Sequence, residues 1–372
     1  MNSASTIMVE TIMVDLLTYN QEASNPQFHY KFAHTSTKMS ESLVFITGGT
    51  GFIGAEVVQQ ALEAGYRVRL SIRKPEQAEI VKGRYPDYAS KIETVVIPDI
   101  SEREPFETAL ENVEYVIHLA SPVPGKGVDL KEDYIKPALQ GTEAILYAAL
   151  KFPKIKTIVV TSSAIALLPI DAPMVTDRVL REDTGEVLPV DVDMELPESP
   201  QEAHGMMYRI SKVLAHQATR DFLEKEKPSY KLLTTHPTLV IGESRIQNSA
   251  EQIDMVNAML WMTIQSAKPA YPSLWVDVKD VATAHVSAID TPAPSGTEFI
   301  LSLNGVTWED IAAFTKSEYP DLAKLEPPFE GPVTKVVTGN AEKHLGLKWT
   351  PWKQTFRETI EQQLSFNDAG SK

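Results

Sequence analysis

Tyr208-Arg-Ile-Ser-Lys212 places a phenol and an ammonium four residues apart. On a helix that spacing points both side chains the same way. A free tyrosine ionises at about pH 10, so alone it is a poor acid–base catalyst at neutral pH. A neighbouring ammonium favours the phenolate, and the pair suits a phenol that hands its proton to a carbonyl oxygen. Upstream, Thr161-Ser-Ser-Ala164 closes an apolar run. A serine hydroxyl at the carboxyl end of a strand can hydrogen-bond a substrate oxygen and stabilise charge developing on it. Side chains alternate along a strand, so one of Ser162 and Ser163 faces such a site.

The element that must bring a reactant to these groups lies near residue 43. Leu43-Val-Phe-Ile-Thr-Gly-Gly-Thr-Gly-Phe-Ile-Gly54 starts as a short apolar run, the pattern of an interior parallel strand. Gly48, Gly51 and Gly54 follow at three-residue spacing, interleaved with Thr50, Phe52 and Ile53. Ala55 to Ala64 then reads as an amphipathic helix ended by Gly65. Strand, glycine turn and helix in this order form a dinucleotide-binding βα unit, with the pyrophosphate at the helix N-terminus. An oxidised nicotinamide beside Tyr208 would add to the positive charge that favours its phenolate.

The end of the second strand decides between the two dinucleotides. An acid there binds a ribose 2′-hydroxyl, whereas arginine suits a 2′-phosphate. Ser71-Ile-Arg73-Lys74-Pro75 offers two cations and no carboxylate until Glu76. Guanidinium pairs with phosphate bidentately, so Arg73 is the expected reader, with Lys74 beside it, and the cofactor is expected to be NADP(H).

Beyond the first unit the alternation continues. Strands are expected over 67–72, 94–97, 115–120, 157–161 and 231–235, with helices between them, notably 138–150 and 206–227. This pattern predicts an α/β fold, a doubly wound parallel-sheet Rossmann domain with a smaller, mainly C-terminal substrate lobe. The expected division is residues 39–242 for the dinucleotide domain and 243–372 for the lobe, with 275–290 returning to the dinucleotide domain. Helices are expected in the lobe over 251–265, 307–317 and 357–364. Residues 1–38 carry no part of the site and read as a dispensable extension. Residues 169–204 hold five prolines, ten acids and two basic residues, Arg178 and Arg181. Proline at that density predicts a loop or a cover over the pocket rather than a long helix.

Composition narrows the partners. The 372 residues carry 50 acids against 35 bases, a net charge of −15, which argues against nucleic acid and anionic membrane. Without cysteine, disulfides and thiolate chemistry are excluded. No apolar run approaches the roughly 20 residues of a membrane span, and the N-terminal run 7–17 is broken by Glu10 and Asp15. A cytoplasmic protein is expected. His118, His204, His216, His236 and His285 form no close ligand pair in the sequence, so no metal is expected.

Together, Thr47-Gly-Gly-Thr-Gly-Phe-Ile-Gly54, Thr161-Ser-Ser163 and Tyr208-x-x-x-Lys212 resemble the extended short-chain dehydrogenase/reductases. Ile135-Lys-Pro-Ala-Leu-Gln-Gly-Thr142, His236-Pro-Thr-Leu-Val-Ile-Gly242 and Trp275-Val-Asp-Val-Lys-Asp-Val281 resemble the branch of dihydroflavonol reductases and fungal carbonyl reductases. The likeness spans roughly residues 42 to 365. It implies Ser163 as the catalytic serine, Tyr208 as the acid, and Lys212 as its activator and a ribose ligand. It also implies Asp99 and Ile100 near the adenine, Ala120 and Ser121 along the ribose, and Pro237, Thr238 and Leu239 beside the nicotinamide. The implied activity is NADPH-dependent reduction of a small-molecule ketone or aldehyde, in the biosynthesis of a specialised metabolite. Met255, Met259, Trp261, Met262 and Tyr271 could line a pocket for a bulky apolar substrate, though their helical spacing equally suits core packing. The competing readings are a hydroxysteroid-type dehydrogenase, a nucleotide-sugar epimerase, and a regulator that senses dinucleotide without turnover. Epimerases and dehydratases of this fold usually show Val-Tyr-Gly or an acidic pair where Ala164-Ile-Ala-Leu-Leu168 stands, and sensing relatives lose the Tyr/Lys pair. Three departures stand out: Gln140 where many relatives carry asparagine, a long gap between Ser163 and Tyr208, and His204-Gly-Met-Met207 before the tyrosine.

Overall fold

The strand β1 (Leu43–Thr47) is buried along its whole length, and it lies in the middle of a seven-stranded parallel sheet. A strand covered on both faces reads as a continuous apolar run, which is why Leu-Val-Phe-Ile shows no alternation. The computed structural model describes residues 42–121, 127–170, 179–329 and 335–369. The extension over residues 1–38 lies outside them.

From β1 the chain enters α1 (Phe52–Glu63), β2 (Arg67–Ile72), α2 (Gln77–Arg84), β3 (Ile92–Val96), α3 (Glu104–Ala109) and β4 (Tyr115–His118). A single π turn over Leu130–Ile135 leads into α4 (Lys136–Ala149) and β5 (Thr157–Thr161). Next come β6 (Val179–Arg181), α5 (Pro200–Glu226), β7 (Lys231–Pro237), β8 (Leu239–Ile241), α6 (Met255–Ile264) and β9 (Trp275–Asp277). The described chain closes with α7 (Val278–Ala288), β10 (Glu298–Leu301), α8 (Trp308–Glu318), β11 (Lys335–Val337), α9 (Asn340–Leu345) and α10 (Trp352–Ala369). The sheet order is β10-β7-β5-β4-β1-β2-β3. The order reverses between β1 and β4, so their carboxyl ends open the crevice where α/β sheets take ligands.

One face of the sheet is covered by α3, α4 and α5 through Phe106, Ile145 and Phe222. The other takes α1 and α7 through Val57, Val58, Ala282 and Val286. Gln60 of α1 donates to the Lys279 carbonyl at 3.0 Å and accepts from the Thr283 hydroxyl at 2.9 Å, tying these helices together. A third apolar cluster gathers Trp275, Trp308, Phe356 and Leu260, with Trp261 packed against it. Met255 and Met262 are exposed on α6, so they do not belong to the core.

Several boundaries differ from expectation. The long helix begins at Pro200 rather than near residue 206, because proline is well placed in a first turn, where its missing N–H costs nothing. The acidic insertion is therefore helical over its last residues. It also holds a strand, since β6 pairs with β11. The strand β10 was missed: Glu298-Phe-Ile-Leu is too short to announce itself beside the preceding prolines. The strand β3 starts two residues earlier than expected, and α10 is longer at both ends. The helix α6 starts four residues later, where the Asp254 carboxylate accepts the Val256 N–H.

Two acids of the insertion hold β10 on its outer side. The Glu182 carboxylate accepts the N–H groups of Ile300 and Asn340 at 2.7 and 3.0 Å. Asp183 accepts the Glu298 N–H at 2.9 Å, and its own N–H returns to the Glu298 carboxylate at 3.0 Å. Burial pushes the Glu182 carboxyl up to about 7.

Candidate active site

The glycine turn is shaped by close approach. Gly48 has φ +72°, and a Cβ there would lie 2.8 Å from the Ala120 nitrogen. A Cβ on Gly54 would overlap the Gly48 carbonyl oxygen. Gly51 precedes α1 without any side-chain cap, so the first-turn N–H groups remain for an anion. Phe52 and Ile53 pack into the core behind the turn, while Thr50 is half-buried and Gly51 exposed in front. Side chains at these two glycines would strike the backbone of Ala120 and Gly48, so the turn stays tight and its uncapped helix end fits a pyrophosphate.

Arg73 and Lys74 are exposed just beyond β2. Their N–H groups both donate to Gln77 Oε1, at 2.8 and 3.1 Å, which fixes the turn while leaving the cationic heads free. Among the described residues neither head pairs with a carboxylate. After β3, Asp99 accepts the Ser101 hydroxyl at 2.7 Å and its N–H at 2.8 Å, which holds the carboxyl below its usual range. Ile100 lies over α4, and a Cβ on Gly141 would stand 3.0 Å from its Cδ1.

At the end of β4, Thr47 Oγ1 accepts the Ala120 N–H at 3.1 Å and lies 2.9 Å from His118 Nδ1. His118 is buried, and burial followed by the charge of Lys212 pushes its imidazole down to about 3. It is a neutral core residue beneath the site. Lys212 is 6% exposed and donates from Nζ to Ser121 Oγ at 3.0 Å. Burial lowers its ammonium to about 8. The same Nζ stands 5.7 Å from the centre of the Tyr208 ring.

The two serines after β5 are both partly buried. The Ser162 N–H donates to the Thr235 carbonyl at 2.8 Å and continues the sheet. Ser163 is the partner of Tyr208, to which it is hydrogen-bonded. Burial raises the Tyr208 phenol to about 12, with the Ser163 bond working against that rise. The phenol is therefore protonated at neutral pH. Pro237 ends β7, Leu239 opens β8, and Thr238 between them gives its N–H and its hydroxyl to the Leu301 carbonyl at 3.0 and 3.2 Å.

A buried cluster behind Ser163 was not foreseen. His236 Nδ1 lies 3.2 Å from the Ser163 carbonyl oxygen and Nε2 2.9 Å from Thr234 Oγ1. The His216 ring packs edge-on against it at 4.6 Å and brings Nε2 to 3.0 Å from Glu298 Oε1. Arg220 also donates to that oxygen, from Nε at 2.8 Å and Nη2 at 2.5 Å. Burial raises the Glu298 carboxyl, but His216, His236 and Arg220 together hold it down at about 2. Histidines 20 residues apart in sequence thus share one site with a carboxylate, contrary to the spacing argument. Ligand atoms of His216, His236 and Glu298 come within 4.8 Å of one another. A guanidinium stands on the carboxylate and both His236 nitrogens are engaged, while His216 Nδ1 is buried without a hydrogen-bond partner among the described residues. The readable signal was the His216/Arg220 spacing on one helix.

Tyr208 packs in an apolar cluster. It includes Ile135 after the π turn and Leu188, Val190, Met194 and Leu196 from the insertion.

A seven-stranded parallel sheet of this order, with a glycine cradle at the switch point and Ser163, Tyr208 and Lys212 at its carboxyl edge, defines an extended short-chain dehydrogenase/reductase. The chain belongs to the NAD dependent epimerase/dehydratase family, which matches residues 44–301. It is 36% identical over 337 residues to the ketoreductase sphI of Aspergillus fumigatus, covering 88% of this chain and 99% of that protein. It is 31% identical over 303 residues to the ketoreductase azaE of Aspergillus niger, covering 78% and 86%. In fold it is similar to yeast methylglyoxal/isovaleraldehyde reductase Gre2 complexed with NADPH, with a TM-score of 0.73, 24% identity and coverage of 88% and 99%. Among the described residues, no helix is long and apolar enough to cross a membrane.

Proposed function

We propose that this chain is an NADPH-dependent reductase of ketones and aldehydes whose substrate is a bulky, largely apolar carbonyl compound of specialised metabolism. The observation that carries this reading is the buried Lys212 Nζ, bonded to Ser121 and held over the Tyr208 ring, with Ser163 on the phenol. When bound, the dinucleotide supplies the hydride to the carbonyl carbon. Ser163 orients the substrate oxygen by hydrogen bonding, and Tyr208 gives that oxygen its proton. A phenol kept protonated at neutral pH suits the reductive direction. Lys212 holds the ribose side and adds positive charge that favours the phenolate left after transfer. Arg73 and Lys74, which pair with no acid among the described residues, favour the 2′-phosphate. The two Aspergillus relatives are ketoreductases by name. The acidic chain is assigned to the cytosol, which imaging of a fluorescent fusion checks.

The test is NADPH consumption followed by absorbance against aryl ketones, aldehydes and polyketide-like carbonyl compounds. Turnover with some of them supports the reading. Binding of NADPH without turnover across the panel would favour the dinucleotide-sensing regulator.

A further inference from the structure

We propose that His204 and Tyr134 form a second polar contact in the substrate pocket, one that holds an oxygen of the substrate other than the carbonyl being reduced. This rests on the reductase reading above. His204, Tyr208 and Lys212 recur at four-residue intervals on α5, so they line one face of a single 27-residue helix. His204 therefore stands one turn before the proton donor, about 6 Å along the helix axis. It is half-buried, in the stretch just after the acidic insertion.

Its orientation is fixed from behind. The Tyr134 oxygen lies 2.7 Å from His204 Nδ1, and the two rings pack at 6.2 Å with a 33° tilt. Tyr134 is fully buried in the π turn Leu130–Ile135, a kind of turn that recurs at functional sites. A hydrogen bond from the Tyr134 hydroxyl to Nδ1 is the arrangement that leaves a ring N–H at Nε2. Among the described residues Nε2 has no partner, so it is a donor available to a substrate oxygen. The neighbouring side chains are apolar: Ile135, Leu188 and Leu196 pack in one cluster with Tyr134 and Tyr208. In such surroundings a single fixed donor selects strongly, because a polar group left unpaired on burial is costly. The substrate class this describes is a ketone or aldehyde on an apolar skeleton, bearing an ester, hydroxyl or second carbonyl oxygen a few bonds from the reacting carbon.

The experiment compares aliphatic keto esters, with the ester two to four bonds from the ketone, with 2-alkanones of the same length. Wild type, His204→Leu, His204→Gln and Tyr134→Phe are assayed with NADPH. Wild type should favour one keto ester over its matched alkanone. In His204→Leu that preference in kcat/KM should fall about tenfold, the size expected for one lost hydrogen bond in a dry site. The loss should lie in KM, with NADPH affinity retained, and His204→Gln should recover part of it through its amide donor. Tyr134→Phe should lower the preference in the same sense. An equal loss on keto ester and alkanone would mean that the pair only braces the helix, and would overturn the proposal, as would a preference that no variant changes. Absence of turnover by wild type with every ketone and aldehyde would overturn the reductase reading and this inference with it.

Discussion

Lys212 Nζ donates to Ser121 Oγ at 3.0 Å, which fastens the helix bearing Tyr208 to the segment after β4, beside the glycine turn. Burial places this ammonium near 8, so its charge is lost just above neutrality. In the free enzyme kcat/KM for NADPH should fall as pH rises past about 8 and hold steady between 6 and 7.5, as initial rates across that range will test. A flat profile to pH 10 would mean that the Lys212 charge contributes nothing to the site.

Tyr208→Phe should lower turnover by about 10²–10⁴, the usual worth of a positioned general acid. It removes one oxygen and little volume, so NADPH binding followed by fluorescence should barely change. More than a tenth of the wild-type rate would remove Tyr208 from the mechanism.

Arg73→Asp should weaken NADPH and improve relative use of NADH, since it sets a carboxylate where a 2′-phosphate partner stood. An unchanged ratio of the two kcat/KM values would shift the role to Lys74.

The fold should be labile to acid. Burial holds His118 and His236 near 3 and His285 near 4, well below the usual imidazole value. The unfolded chain protonates these rings as pH falls through about 6.5, while the native state does not until much lower. Stability is thus fully present above pH 7 and drains away below it, by on the order of 2 kcal/mol per ring at pH 5. Calorimetry should show Tm falling by several degrees between pH 7 and pH 5. A constant Tm would show that these rings take up protons without unfolding.

Shortening residues 187–197 should change substrate preference or KM more than NADPH affinity, because Leu188, Val190, Met194 and Leu196 pack beside Tyr208. Removing 182–183 should instead lower Tm, since those acids hold β10. Loss of NADPH binding in the first variant would mean that the segment braces the cradle.

Much of this architecture was legible because local signals were strong and agreed. The Leu43–Gly54 stretch carries its strand, turn and helix within one short window, and Tyr208/Lys212 needs only helical spacing. What escaped was non-local. The strand β10 is four residues long and exists because β7 pairs with it. Glu182 and Asp183 stood only among the ten acids of the insertion, since nothing nearby in sequence names the N–H groups they accept from. The His216–His236–Glu298 cluster joins a helix and two strands, and no spacing rule spans them.

The acids on β10 also bear on how molecules of this chain can meet. The alternate N–H groups of Glu298 and Ile300, which a terminal strand normally leaves for any passing chain, are both taken by carboxylates of the same molecule. Another protein cannot continue the sheet at that border without first displacing Glu182 and Asp183. Strand-by-strand growth is therefore confined to the far border at β3, where only Val96 is well exposed.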